Sequence, residues 1–230
     1  MTELRHRAQV HALKREGYLA YLTLEVENNF RFRAGQHTVL YLKTEERDIP
    51  FYYSIASSPG ILPHIEFLIG CRDGDLRTHG LIEHLSLNKE IEITPAMGSF
   101  ILPDLLPERL LFISAGTGIS PLRAMMITLL HNHTGHHINL VQGAGLVCDL
   151  PYHEAFSALE KKHPYFHYHP IVSKETWQGP QGRVHELYPG LISPANTAAF
   201  ICGPKEMVEE TREKLVGLGL DVQQIFKEKH

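Results

Sequence analysis

Two regimes of hydrophobic patterning divide the chain near residue 104. Before it, apolar residues alternate or run in strand-length segments at residues 18–26, 38–42, 52–56, 65–69 and 91–94. Turn signals lie between them, among them Glu16-Gly17, Ser58-Pro59-Gly60 and Asp73-Gly74. One helical candidate, residues 76–87, interrupts the strands. Such a set predicts an antiparallel β-barrel with a capping helix, because closing the sheet removes its edges.

After the proline-bounded stretch Pro103-Asp104-Leu105-Leu106-Pro107 the pattern becomes strand, helix, strand, helix. Its elements fall at 110–113, 121–131, 138–142, 151–162, 166–172, 184–187, 198–202 and 205–218. That alternation predicts a mostly parallel α/β sheet with helices on both faces. The expected organisation is therefore two domains, an antiparallel β-barrel over 1–104 and an α/β parallel-sheet domain over 105–230. Ligands of such sheets bind beyond the carboxyl ends of the strands, where two small flexible turns fall, Ser114 to Gly118 and Cys202-Gly203-Pro204.

The first of these turns sits in the sequence LLFISAGTGISPL, Leu110 to Leu122. A short apolar run precedes Gly116, Thr117 and Gly118, and Ser120 and Pro121 suit the start of a helix. The free N–H groups of that first turn, with the positive end of the helix dipole, suit a phosphate. The third glycine of a Rossmann fingerprint would fall at Pro121, so that fingerprint is not met, and Gly-x-Ser-x-Gly is absent. On these residues alone, an ordinary strand-to-helix turn without a ligand remains an alternative.

Composition narrows the class. Of the 230 residues 43% are apolar, enough for two cores, and the formal net charge of −4 comes with scattered rather than striped lysines and arginines. Nucleic-acid and membrane partners are not expected. No run of eighteen apolar residues occurs, and MTELRHRAQV carries charges where a signal peptide needs its apolar core, so a cytoplasmic protein is expected. Cys71, Cys148 and Cys202 lie too far apart for a disulfide framework, a Cys-x-x-Cys pair or a cluster-binding set. His131, His133, His136 and His137 crowd one segment, whose spacing suits a polar loop; no metal site is expected.

Four segments together resemble the ferredoxin–NADP reductase family over almost the whole chain: Phe32-Arg33-Ala34-Gly35-Gln36, Tyr53-Ser54-Ile55-Ala56-Ser57, Ala115-Gly116-Thr117-Gly118-Ile119-Ser120-Pro121 and Cys202-Gly203-Pro204. The resemblance implies that the barrel binds FAD and that the α/β domain takes NADH or NADPH as substrate. It assigns flavin contacts to Tyr52, Tyr53, Ser54, Ile55, Ala56 and Ile69, with the Ser54 hydroxyl near flavin N5. Thr78 would meet the FAD pyrophosphate at a helix start, though a plain N-cap explains it equally. Gly116, Thr117, Gly118, Ser173, Gly203 and Pro204 would line the nicotinamide-nucleotide site. Cys202 would stand beside the nicotinamide, Glu228 would supply charge or a proton relay, and His230 would cover the flavin as a terminal ring. Ser54, Cys202 and Glu228 are thus the expected catalytic residues.

Three departures qualify that reading. Phe51 stands where relatives carry an arginine for the flavin phosphates, a loss of about 1.5–3 kcal/mol unless Arg33, Arg47, Arg72 or Arg77 substitutes. Gly145 stands where relatives often carry arginine, which favours NADH, while Lys174 is available to a 2′-phosphate. His230 is a titratable ring in an aromatic position. The expected function is an NAD(P)H-dependent flavin oxidoreductase, its FAD held loosely, that passes electrons to a separate iron–sulfur protein such as a ferredoxin. A reductase of free FMN, riboflavin or FAD, and a non-catalytic electron-transfer or regulatory subunit, are the alternatives.

Overall fold

The computed structural model describes residues 4–229, which divide into two compact units. The first runs to residue 101 and takes in residues 123–128; the second comprises 102–122 and the chain from 129 onward. Among the described residues, no helix is long and apolar enough to cross a membrane.

In the first unit, strands β1 (His6–Glu16), β2 (Leu19–Val26), β3 (His37–Lys43), β4 (Asp48–Ser54) and β5 (His64–Gly70) precede helix α1 (Leu76–Asn88) and strand β6 (Glu90–Ile93). The strands form one antiparallel sheet in the order β4-β3-β6-β1-β2-β5. Just past β4, the Ala56 N–H donates to the Glu66 carbonyl of β5 at 2.7 Å and draws the two edges together, as the barrel expectation requires. Leu22, Leu24, Leu40, Phe67 and Ile93 fill its interior, and α1 adds Leu81, Ile82 and Leu85. Strand β1 is absent from the sequence expectation. Its polar pattern is broken by a bulge between Val10 and Ala12, which destroys the two-residue period that marks a strand.

In the second unit, β7 (Arg109–Ala115), α2 (Ile119–His131), β8 (His137–Ala144), α3 (His153–Lys162), β9 (Phe166–Val172), β10 (Thr197–Gly203), α4 (Lys205–Gly217) and β11 (Ile225–Lys229) follow in order. All the strand pairs are parallel, in the order β11-β10-β7-β8-β9. Segment 184–187 enters no sheet: Val184–Glu186 is a 3-10 turn whose Val184 packs into the core. Strand β11, short and half-buried at the sheet edge, is a further element that periodicity does not announce.

Candidate functional site

Chain order along the second sheet reverses at β7: the path runs outward through β8 and β9, then returns to β10 on the other side. The carboxyl ends of β7 and β10 therefore flank a topological switch point, where open α/β sheets bind ligands. Gly116–Gly118 form a 3-10 turn after β7 and lead directly into α2, with the Ser120 hydroxyl donating to the Thr117 carbonyl at 2.9 Å. A Cβ on Gly118 would lie 2.4 Å from the Cys202 carbonyl oxygen and 2.7 Å from the Gly203 nitrogen, so the two turns meet backbone to backbone. Gly116 has φ +57° and open space where a side chain would be. This surface, backed by a helix start, suits phosphate.

Behind the turn lies an ordered row. Phe112, Phe200 and Phe226 are register partners on β7, β10 and β11, and their rings stack at 5.0 Å and 4.8 Å between centroids. Two residues further along the same face, Ser114, Cys202 and Glu228 are also register partners. The aromatic ladder thus fixes strand β11 at the register that sets Glu228 beside Cys202. Burial, and secondarily the negative field of Glu228, push the Cys202 thiol well above its ordinary range. The neutral thiol is a compact, polarisable wall and not a nucleophile. The Ser114 hydroxyl is buried and has no hydrogen-bond partner among the described residues.

On the far side of β8, Ser173 donates to the Ala144 carbonyl through both its N–H (3.1 Å) and its hydroxyl (3.3 Å). Gly145 is flanked by two charged side chains: a Cβ there would lie 3.4 Å from Lys174 Cδ and 3.6 Å from Asp149 Oδ2. A cavity of about 410 Å³ lies at the opposite ends of the strands, lined by Leu130, His133, His136, His163 and Tyr165 among others, away from the phosphate turn.

In the first unit, Phe51 and Tyr53 point the same way from β4 and stack at 6.3 Å with 11° between ring planes. Arg77 covers the Phe51 ring, with Cζ 4.7 Å from its centroid, and its guanidinium donates to the Pro50 carbonyl. Asp75 caps α1, its carboxylate accepting the Thr78 N–H at 3.1 Å. Hydrogen bonds from the Thr78 hydroxyl and N–H hold Asp75 below the usual carboxylate range. Burial pushes Tyr53 up to about 12, opposed by its hydrogen bond with Thr78. Tyr53, Arg77, Thr78 and Asp75 therefore form one connected group.

Tyr52 points outward and is 66% exposed, with the His37 ring 6.4 Å away. Ser54, paired with His37 across β3 and β4, is nearly buried. Ile55, Ala56 and Ile69 have no exposed surface, and Ile55 and Ile69 pack into the core. The Ile55 N–H is held by the Gln36 carbonyl at 2.9 Å, and the Ala56 carbonyl accepts from Arg123 at 2.7 Å. The Phe-x-x-Gly-Gln segment thus braces the end of β4. His230 lies outside the described residues. Sequence reasoning passed over Asp75 and Asp149; an Asp three residues before Thr78 at a helix start was a legible capping signal for the first, while Asp149 meets Gly145 only through the fold.

The side chains around the end of β4 and the start of α1 bear on whether FAD would fit here. Arg77 brings a cation to the surface that Phe51 leaves apolar, and Tyr52 offers an exposed aromatic face. Asp75 holds the Thr78 N–H that a phosphate would otherwise receive. The residues fit the cofactor, with a weaker hold on its phosphates.

A family profile described as an oxidoreductase NAD-binding domain matches residues 112–213. Ferredoxin–NADP reductase from Pseudomonas aeruginosa is 30% identical over 213 residues, covering 84% of this chain and 81% of that protein. The reductase component of phenol 2-monooxygenase from a Pseudomonas species is 27% identical over 214 residues, covering 90% of this chain and 60% of that protein. The chain spans little more than half the length of the oxygenase reductase components that it matches. In fold it is similar to a ferredoxin NADP+ reductase from Neisseria gonorrhoeae solved with bound FAD and NADP, with a TM-score of 0.82, 19% identity and 98% of both chains covered.

Proposed function

The chain belongs to the ferredoxin–NADP reductase family, and on that premise we propose that it oxidises NADH through FAD and passes the electrons to a separate iron–sulfur protein. The observation that carries this reading is the pair of turns joined at Gly118 and Cys202-Gly203, an open backbone surface at the switch point of a parallel sheet. FAD, when bound, supplies an N5 that accepts hydride and a ring system that can release electrons singly.

The protein's own residues bind and orient. The N–H groups around Gly116–Gly118 receive the nucleotide's phosphates, and Cys202 presents a neutral thiol that lets the nicotinamide ring lie flat. Glu228, fixed by the Phe226 stack, contributes negative charge beside that ring and a place to hold a proton. Tyr53 and Ser54 would line the flavin, the Ser54 hydroxyl supplying a hydrogen-bond partner for N5. Arg77, seated on Phe51, would meet the flavin phosphates in place of the arginine that the family resemblance implies at position 51.

Cys71 and Cys202 are buried and Cys148 exposed, three dispersed cysteines that do not make up the four close ligands of a cluster, so in this reading the iron–sulfur centre that takes the electrons lies outside these 230 residues. Free cysteines also suit the reducing cytoplasm. A reductase of free flavin is the second reading, favoured by Phe51 and by the Asp75 carboxylate at the helix start. Gel filtration after loading with FAD, followed by anaerobic NADH, tests both. Bound flavin that bleaches supports the first, whereas colourless protein that turns over added FMN or riboflavin supports the second. Failure to oxidise NADH with any flavin overturns both.

A further inference from the structure

We propose that His11, Glu25 and His64 form a binding site for one Zn²⁺ ion on the outer face of the first unit's sheet, a site that plays no part in the redox reading. The three residues come from adjacent strands. Glu25 and His64 are direct partners across β2 and β5, and His11 occupies the bulge of β1, between the pairs Val10↔Leu24 and Ala12↔Thr23. A bulge re-aims the side chain of its extra residue. Here it brings the His11 ring to 4.4 Å from the ring of His64, centroid to centroid, across the intervening strand.

One ligand atom from each residue lies within 4.8 Å of the other two. Ligands bound tetrahedrally to one Zn²⁺ at roughly 2.0–2.2 Å stand about 3.4 Å apart, so side-chain rotations that bring the atoms about 1–1.5 Å closer together complete the set. Exposed side chains on a sheet surface have that freedom; His11 and Glu25 are exposed and His64 half-buried. None of the three side chains makes a hydrogen bond or ion pair with the described residues, in contrast to His6 on Glu27, His153 on Tyr168 and His169 on Asn139. Their ligand atoms lie close together with no protein hydrogen-bond donor between them among the described residues.

The donor set selects the ion. Two imidazoles and a carboxylate suit Zn²⁺, whereas Mg²⁺ and Ca²⁺ favour oxygen ligands throughout. Three protein ligands leave a fourth position for water. Among the described residues this is the one convergence of three such groups; the histidine-rich segment 131–137 does not provide another. Zn²⁺ here would tie β1 to β5 across β2 and raise the melting temperature by mass action.

The test uses the full chain with its flavin, stripped with EDTA and titrated with Zn²⁺ by calorimetry. One equivalent is expected, with affinity at least tenfold weaker in His11→Ala, His64→Ala and Glu25→Gln, and with the melting-temperature rise lost alongside it. Circular dichroism checks that each variant is folded, and the near-isosteric Glu25→Gln carries the argument should a histidine variant fold poorly. A Co²⁺-loaded protein should give a ligand-field spectrum that disappears in the same variants. No binding, binding unchanged in His11→Ala/His64→Ala, or binding abolished instead by His133→Asn/His136→Asn would overturn the assignment.

Discussion

The guanidinium of Arg77 lies over the ring of Phe51, 4.7 Å from Cζ to centroid. Position 51 is where the family resemblance calls for an arginine. Arg77, at the start of α1, sets its cation against the Phe51 ring, a cation–π arrangement. Arg77→Ala should weaken FAD binding roughly tenfold, ~1.4 kcal/mol, near the low end for a charge-assisted contact at an exposed site. Riboflavin, which has no phosphate, should bind unchanged, and Phe51→Arg should restore FAD binding to the Arg77→Ala variant. Fluorescence titration of FAD and riboflavin reads all of these. Equal losses for riboflavin and FAD would make Arg77 a structural residue only.

Gly116 and Gly118 resist substitution for different reasons. A Cβ on Gly118 meets backbone atoms at 2.4–2.7 Å, which cannot give way without separating the two turns. At Gly116 the space is open and the cost is the left-handed φ of +57°. Gly116→Ala should therefore cost about 1–2 kcal/mol of stability with nucleotide binding only moderately weakened. Gly118→Ala should cost at least as much, about 1–3 kcal/mol or more, and abolish measurable NADH binding. Urea midpoints and NADH titration separate the two, and a well-bound nucleotide in Gly118→Ala would remove that turn from the site.

Legibility followed periodicity. The alternation after residue 104 announced β7, α2, β8, α3, β9, β10 and α4 because buried parallel strands and amphipathic helices carry strong local patterns. Strand β1 was invisible because His11 sits in a bulge and most of its residues face water. Strand β11 was invisible because IFKEK is short, charged and at an edge. Local pattern also says nothing of residues 123–128, which lie within a helix of the second unit's alternation yet cluster with the first unit. At the candidate site the glycines were legible from their spacing. The neighbours of Gly145 and the row Ser114, Cys202, Glu228 depend on strand order and register, which no single segment encodes.

Glu209 of α4 binds both Lys229 and Lys227 of β11, and those two contacts, Lys229 first, lower its carboxyl to about 2. A carboxylate with a depressed folded-state value stabilises above its unfolded value, near 4.5, and loses that contribution as pH falls toward 2. Glu209→Gln should accordingly loosen β11 at pH 7, by an amount that shrinks between about pH 4.5 and 2 and also shrinks with added salt. Amide exchange at residues 225–229 is the readout. Because β11 carries Glu228 to the side of Cys202, the same variant should slow flavin reduction by NADH at neutral pH more than at low pH. Exchange rates that match wild type at pH 7 in low salt would dismiss the clamp.

Asp149 and Lys174 both approach Gly145, where a Cβ would lie 3.6 Å from Asp149 Oδ2 and 3.4 Å from Lys174 Cδ, and their opposite charges are expected to set the nucleotide preference. A 2′-phosphate arriving there meets the lysine stem and the carboxylate together, so the attraction of one is offset by the repulsion of the other. A ribose 2′-hydroxyl instead finds in Asp149 an acceptor of the kind that NAD-binding sites use. NADH should therefore be preferred in kcat/KM. Asp149→Asn should raise kcat/KM for NADPH several-fold while lowering that for NADH, and Lys174→Ala should depress NADPH use further without changing NADH use. Steady-state comparison of both nucleotides across the three proteins measures the balance. NADPH preference in wild type that vanishes in Lys174→Ala would mean that the lysine, and not the carboxylate, governs the adenosine end of the site.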